Sequence, residues 1–432
     1  MSDQKNYGMS TKALHCGWKC DPTTGASALP IYATSAYQFK STEQATKLFN
    51  LEEGGYLYSR LSNPTVCAFE EGLNAMEGGV GCLATSSGQA AFNHLICALC
   101  SSGDNLVVSR QVYGGTLTLL QNVFSRFGIS TKLVDGNHPC QFEAAIDDNT
   151  RGIITETIGN PVMNVAPLEA LAKIANRTGV PLIVDNTFAS PTLCRPIEWG
   201  ANVIVHSTTK YISGNGNLLG GAVIDGGNFD WSKFSNKFPT LAKPDPAYHG
   251  ITFTEHFGKS ALYAKLHAAI IRDLGGCPSA FDGYLLHVSL ATLTLRMEKH
   301  SKNALEVAKF LESHPAVEWV SYPGLDSHPQ AYLAKEYLKD GCGGMMAFSV
   351  KGGVEAGRKL LDNLELIGHM ANLGDSRTLI IHPASTTHSQ LSTEQRMAAG
   401  IDDGLLRLSV GIEDIKDILE DLSTGLDAAT KK

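Results

Sequence analysis

The sequence predicts an α/β protein with a mostly parallel central sheet, followed by a smaller α/β domain. Short runs rich in β-branched residues alternate with helical patterns between about residues 80 and 225, as in repeated strand–helix–strand units. The chain contains 43 glycines and 43% hydrophobic residues, whereas charged residues make up only 18%, which indicates much buried surface and many tight turns. At about 100 to 200 residues per domain, its 432 residues predict two or three domains.

The elements follow in order along the chain. Residues 1–62 are rich in turn-forming and polar residues, so we expect an arm that contacts a neighbouring subunit. A first domain is predicted over 63–280, and its ligands should lie at the carboxyl ends of its strands. These strands are predicted at 106–109, 151–157, 181–187, 202–209 and 220–224.

The second half contains fewer strands. From Asn228 to Phe253, aromatic residues are mixed with prolines and no clear period is kept, which predicts an irregular excursion before helix resumes. The smaller α/β domain is predicted over 281–432. It should contain an amphipathic helix over about 282–312 and strands at 347–350, 378–382 and 405–411.

Charge and cysteine content exclude several classes of protein. With 35 Lys and Arg against 43 Asp and Glu, the net charge is −8, which argues against partners such as nucleic acid or a membrane surface. The ten cysteines and the absence of a signal-peptide pattern predict a cytoplasmic protein with reduced thiols. The uncharged stretch 78–103 is too polar for a bilayer helix, and Cys97 and Cys100 lack further ligands at zinc-site spacing.

The sharpest chemical signal is the lysine of His206-Ser207-Thr208-Thr209-Lys210, after an apolar strand and before a glycine-rich turn. A lysine at a strand end can form a Schiff base, while nearby hydroxyl and N–H groups hold a phosphate. A surface lysine in a turn is the simpler alternative. The residues also match the Ser-x-x-Lys motif of penicillin-recognising enzymes, but the Ser-Asp-Asn and Lys-Thr-Gly motifs are missing.

Two further segments fit the same chemistry. Asp185 ends an apolar strand and would need a partner, which could be a pyridinium nitrogen, although a helix cap or turn explains it equally well. The turn 85–91 opens a helix whose free N–H groups could hold a phosphate or could simply be capped. Residues 79–84 fit a G-x-G-x-x-A dinucleotide fingerprint, but they resemble a turn into a strand, which disfavours a Rossmann dehydrogenase.

A phosphate cradle, a Schiff-base lysine and an acidic partner for a ring nitrogen together suit pyridoxal 5′-phosphate (PLP). The chain resembles the cysteine and methionine metabolism family of PLP-dependent enzymes from Tyr56 to Ile415. This resemblance implies the fold of the aspartate aminotransferase-like PLP-dependent transferases (fold type I). Its motifs are YSRLSNPT, ATSSGQAA, RQVYGGT, TETIGNP, VDNTFASP, HSTTKYISG and LLRLSVGIEDI.

The resemblance implies roles for the matching residues around the cofactor ring. Lys210 would bind PLP covalently and move protons, and Asp185 would pair with the ring nitrogen. Asn160 would reach the ring hydroxyl, and Tyr113 would stack on the ring and act in acid and base steps.

The resemblance also assigns the ends of the site. Arg407 would bind the substrate α-carboxylate, although an ordinary strand arginine in a salt bridge is the alternative, and Asn372 would also bind the substrate. Tyr58 and Arg60 of a neighbouring subunit would complete the phosphate site, which implies at least a dimer and, by the family pattern, a homotetramer. The phosphate would otherwise be held by Gly88, Gln89, Ser207 and Thr209.

Within the family, three segments resemble the O-acetylhomoserine sulfhydrylases most: 272–282, 372–392 and the insertion around 228–270. The family's methionine γ-lyases carry cysteine in place of Gly115 and serine in place of Asn372, which favours the sulfhydrylases. Asn215 replaces a histidine that is common in the family's glycine-rich turn.

The expected reaction is therefore γ-replacement on O-acetyl-L-homoserine by sulfide or a small thiol. The alternatives are γ-elimination to 2-oxobutanoate and a non-catalytic protein on a decayed PLP fold. His382 and His388 lack further acidic or cysteine ligands, so no metal site is expected.

Overall fold

A computed structural model describes residues 6–386, 400 and 402–430, and it contains two sheets. The larger sheet has the strand order β1-β7-β6-β5-β4-β2-β3. Strand β7 is antiparallel to both of its neighbours, and the other pairs are parallel. The strands are β1 (Gly81–Thr85), β2 (Asn105–Ser109), β3 (Ser130–Val134), β4 (Thr150–Glu156), β5 (Leu182–Asp185), β6 (Val203–His206) and β7 (Gly221–Asp225).

The inner strands are buried on both faces, as expected when helices cover a parallel sheet on both sides. The predicted strands 181–187 and 202–209 are too long, because the chain turns after Asp185 and His206. Residues 79–84 lead into β1 and not into a helix. The edge strand β3 was missed, because it begins with three polar residues, is mostly only half-buried and carries no long apolar run.

The α-helices before residue 280 lie ahead of β1, between the strands of this sheet and after β7. They are α1 (Met9–His15), α2 (Thr42–Phe49), α3 (Pro64–Glu77), α4 (Gly88–Leu99), α5 (Gly114–Thr118), α6 (Pro139–Ala145), α7 (Leu168–Thr178), α8 (Ser190–Leu193), α9 (Pro239–Ala242), α10 (Phe253–Phe257), α11 (Ala261–Lys265) and α12 (Ile271–Leu274).

The segment predicted to be irregular, 228–253, contains only short helical turns, and helix resumes at Phe253 as predicted. Short helices and a π-helical turn then occupy 253–270. Three aromatic side chains order the irregular part. The ring centroid of Phe229 lies 4.6 Å from that of Trp231 and 5.7 Å from that of Phe238. This aromatic cluster buries enough apolar surface to fix the segment without regular secondary structure.

The predicted helix over 282–312 is in fact two helices, α13 (Ala280–Leu290) and α14 (Leu293–Ser313). Ser279 and Asp282 form a capping box that starts α13 two residues earlier than predicted. Near the break, the guanidinium of Arg296 donates to the backbone carbonyl of Ser289 at 3.0 Å. This bond satisfies a helix-end carbonyl that has lost its place in a continuous helix.

The smaller sheet has the order β10-β11-β12-β9-β8 and is antiparallel except between β10 and β11. Its strands are β8 (Val317–Ser321), β9 (Met345–Val350), β10 (Gly368–His369), β11 (Leu379–Ile381) and β12 (Leu405–Ser409), and its helices are α15 (Ala331–Tyr337), α16 (Gly353–Asp362) and α17 (Ile415–Thr430).

The two sheets are joined by α14, whose Arg296 also donates to the backbone carbonyls of Tyr211 and Ile212 in the turn after β6. These bonds hold α14 against the turn after β6, at the edge where the central strands of the larger sheet end. No helix in the described part of the chain is both long and apolar enough to cross a membrane.

Candidate active site

A cavity of about 330 Å³ lies where β4, β5 and β6 end, and β12 of the smaller sheet contributes to its wall. Most of the residues predicted for the site line this one cavity, although they come from distant parts of the sequence. They are Gly88, Gln89, Tyr113, Asn160, Asp185, Ser207, Thr209, Lys210 and Arg407. Asn372 lies between two lining residues, Ala371 and Leu373.

Lys210 lies in the turn after β6, and its side chain is largely buried. Its Nζ donates a hydrogen bond to Asn372 Oδ1 at 2.7 Å. Burial, and after it the nearby positive charge of Arg407, lowers the pKa of Lys210 from its ordinary 10.5 to about 8. An amine with this pKa is partly uncharged near neutral pH, so it can attack an aldehyde.

Asp185 is the last residue of β5, and its Oδ1 accepts a hydrogen bond from the backbone N–H of Thr187 at 2.9 Å. Burial raises the pKa of Asp185, because the carboxylate is removed from water. A cationic partner in the cavity would offset this cost. The protonated ring nitrogen of PLP is such a partner, so this residue fits the cofactor.

The opposite end of the cavity fits a phosphate. Helix α4 begins at Gly88, and its first turn leaves backbone N–H groups without partners inside the helix. A β-carbon at Gly88 would lie 2.9 Å from Cβ of Ser207, so glycine is required for this close approach. Ser207 and Thr209 add hydroxyl groups to the same wall.

Tyr113 presents its ring at the cavity and is 50% exposed. A β-carbon at Gly115 would lie 2.3 Å from Cε1 of this ring, so any larger residue there would displace the tyrosine. The backbone N–H of Tyr113 donates to Glu156 Oε1 at 2.6 Å. The sequence analysis missed Glu156, although it is an acidic residue at the end of an apolar strand, as Asp185 is.

Arg407, on β12, reaches the cavity from the smaller sheet. Its Nη1 donates to Asn160 Oδ1 at 3.3 Å, and its Nη2 donates to the backbone carbonyl of Asn372 at 3.5 Å. No carboxylate bond to Arg407 is present in the described part of the chain, which disfavours an ordinary salt-bridge role. A planar guanidinium with long, weak bonds can bind an incoming carboxylate in a bidentate manner.

A second buried network, also missed from sequence, lies behind these strand ends. Nε2 of His206 lies 2.6 Å from Oε1 of Glu77, and neither side chain is exposed. The amide of Asn186 donates to the same carboxylate oxygen at 2.9 Å. These bonds fix the turns that follow β5 and β6, and therefore the positions of Asp185 and Lys210.

Tyr58 and Arg60 do not line the cavity of their own chain. The Arg60 guanidinium lies 5.2 Å from the centroid of the Tyr58 ring, in the N-terminal arm. His382 interacts with the Ser385 hydroxyl and the Asp403 carbonyl. His388 lies outside the described residues, among which no cluster of His, Cys, Asp or Glu is arranged to hold a metal ion.

One cavity brings together a lysine with a lowered pKa, a helix N-terminus that can bind a phosphate and a buried carboxyl group. Together with the parallel sheet, this set is that of a PLP-dependent enzyme of fold type I. Residues 10–427 match the family model described as the Cys/Met metabolism PLP-dependent enzymes, and the chain belongs to this family.

The chain is 46% identical to the homocysteine synthase of Schizosaccharomyces pombe, over 97% of this chain and 98% of that one. It is 44% identical to the O-acetyl-L-homoserine sulfhydrylase of Leptospira meyeri, over 98% and 97% of the two chains. A crystal structure described as an O-acetylhomoserine (thiol)-lyase from Campylobacter jejuni matches with a TM-score of 0.93 and 39% identity, over 98% of this chain and 100% of that one. That structure carries N′-pyridoxyl-lysine-5′-monophosphate.

The lowered pKa of Lys210 predicts how cofactor attachment depends on pH. Below pH 8 the amine is mainly protonated and cannot attack, so the rate of covalent PLP attachment to cofactor-free protein should rise as the pH increases through about 8. Stopped-flow absorbance measures this rate, with Nα-acetyl-lysine and PLP as the control for titration of the cofactor itself. A midpoint matching that of the free lysine derivative would contradict the prediction.

Proposed function

We propose that the enzyme catalyses γ-replacement of O-acetyl-L-homoserine by sulfide, giving L-homocysteine and acetate. A small thiol in place of sulfide would give a thioether such as methionine. The observation that carries the proposal is the arrangement of Lys210, Asp185 and Arg407 around one cavity. The names of the related homocysteine synthase and O-acetyl-L-homoserine sulfhydrylase support this choice of substrate.

Bound PLP would supply an electron-withdrawing ring that makes the α- and β-protons of the substrate acidic. Arg407 would bind the α-carboxylate and orient the substrate, and Asp185 would place a negative charge opposite the ring nitrogen. Lys210 would take and return protons at the α-carbon and β-carbon, a task that suits its pKa of about 8. Tyr113 would cover the ring and share the proton transfers.

Replacement consists of two changes at the γ-carbon. The C–O bond to acetate breaks after the α- and β-protons are removed, and acetate leaves with the bonding electrons. The sulfur of hydrogen sulfide then forms a bond to the γ-carbon, and protons return to the α- and β-carbons. One proton is released overall with acetate.

Elimination by a methionine γ-lyase-type reaction would use the same lysine and release 2-oxobutanoate, ammonia and a thiol. Gly115 and Asn372 argue against it, because both depart from the residues typical of those lyases. In this structure Gly115 leaves room for the Tyr113 ring, and Asn372 binds Lys210 Nζ. Both residues therefore act on groups that would move protons.

Product analysis tests the reaction directly. PLP-loaded enzyme given O-acetyl-L-homoserine and sulfide should form homocysteine, with little 2-oxobutanoate from L-methionine alone. Lys210→Ala should abolish both covalent cofactor absorbance and turnover, because no other lysine lines the cavity among the residues that the structure describes. Dominant 2-oxobutanoate production would support elimination, and a fully active Lys210→Ala enzyme would refute the assigned lysine.

The proposed carboxylate site predicts a selective effect on substrate binding. Arg407→Lys should raise KM for O-acetyl-L-homoserine by about tenfold or more, because lysine cannot form the bidentate pair. Steady-state kinetics measures it, with Arg377→Lys as a matched control, since Arg377 pairs with Asp375 and is largely exposed. An unchanged KM would remove Arg407 from the substrate site.

We also propose that the enzyme is a cytoplasmic homotetramer built from two dimers, and that the subunits of each dimer share active sites. Tyr58 and Arg60 lie outside their own cavity, and Phe281 and Val288 expose apolar side chains one heptad apart on α13. All ten cysteines are free thiols, which suits a reducing compartment. Sedimentation velocity should give a tetramer, and cell fractionation should place it in the cytosol; a stable, active monomer would contradict shared sites.

A further inference from the structure

One buried carboxyl group at the cavity has no part in the reaction described so far. Glu156 is the last residue of β4 and is only 7% exposed. It pairs in register with Asp185 at the end of the neighbouring strand β5. Two acidic side chains therefore end adjacent parallel strands beneath the same cavity.

Glu156 is bonded to the backbone of the two residues proposed to contact the cofactor ring. Its Oε1 accepts the N–H of Tyr113 at 2.6 Å. The backbone N–H of Asn160, which also donates to the Gln111 carbonyl at 3.2 Å, interacts with the same carboxyl group. One side chain thus connects the turn that carries Tyr113 with the turn that carries Asn160.

The charges of the two carboxyl groups differ because their surroundings differ. Burial, and after it the Asp185 carboxylate, raises the pKa of Glu156 well above its ordinary value, although the N–H groups of Tyr113 and Asn160 oppose this rise. Burial raises the pKa of Asp185 too, but hydrogen bonds from Thr187 and the charge of His206 oppose this rise. Glu156 is therefore the member of the pair that is neutral when Asp185 is ionised.

We propose that Glu156 is a positioning residue, a neutral anchor that holds Tyr113 and Asn160 in place at the cofactor and leaves the negative charge to Asp185. This proposal rests on the cofactor contacts assigned to Tyr113 and Asn160 in the proposed function. The proposal requires only that Glu156 accept hydrogen bonds from these backbone N–H groups. The carbonyl oxygen of a neutral carboxyl group can do so, and a negative charge is not required.

The matched pair of variants is Glu156→Gln, which keeps a neutral acceptor of the same size, and Glu156→Met, which keeps the length but cannot accept strongly. Glutamine should leave the dissociation constant for PLP, measured by titrating cofactor-free protein, within about threefold of the original. Methionine should raise it by about tenfold, since the Tyr113 N–H loses its acceptor and the Asn160 N–H keeps only the Gln111 carbonyl. Glu306→Gln, on the exposed face of α14, controls for loss of charge.

Two further readouts separate positioning from a merely structural role. Glu156→Gln should keep the pH profile of kcat, because an already neutral group contributes no titration. In a Tyr113→Ala background the methionine substitution should weaken PLP binding by clearly less than tenfold, since part of its effect acts through Tyr113.

A glutamine variant that binds PLP about tenfold more weakly, or whose pH profile shifts, would overturn the proposal. Fully additive losses in the double variant would do so as well. If the methionine variant does not fold, the glutamine results alone decide the question. These affinity measurements need no acetylhomoserine, so they stand even if the proposed reaction proves wrong.

Discussion

The parallel pairing of β4, β5 and β6 is the constraint on which the site depends. In this register Glu156 lies beside Asp185, and Asp185 lies beside Val205, one residue before β6 ends. Parallel strands finish at one edge of a sheet, so residues that are distant in sequence meet there. The turn that carries Lys210 follows directly. The remaining groups are brought to this edge by α4 and by β12 of the smaller sheet.

Placing several ionisable groups at one buried edge is costly, and the structure offsets the cost group by group. Glu77 and His206 are fully buried but face each other, and Asn186 supplies a further bond to the carboxylate. Asp185 and Lys210 differ from this buried pair, because both line the cavity. Burial favours the neutral form of both groups, so a cationic partner would stabilise the Asp185 carboxylate, whereas Lys210 is more easily available as an uncharged amine.

Local sequence could place Lys210 and Asp185 at the cavity, because one lies in the turn after an apolar strand and the other ends an apolar strand. The sequence could not predict the bond between Glu156 and Tyr113, which depends on how separate turns meet in space. β3 and β8 were missed because both are edge strands with exposed residues and weak apolar signals. The roles of Tyr58 and Arg60 depend on a second subunit, so a single chain does not test them.

The wall of the cavity also bears on the choice between replacement and elimination. Ile158, Phe188 and Leu373 line it with apolar surface, opposite the polar groups of the strand ends. Water would lose hydrogen bonds beside such a wall, whereas neutral hydrogen sulfide or a thiol would lose few by entering the cavity. In the proposed reaction this wall would favour sulfur over water as the group that attacks the γ-carbon. Gly115 and Asn372 contact the Tyr113 ring and the Lys210 amine, the two groups that would return protons in the proposed reaction after sulfur has bonded.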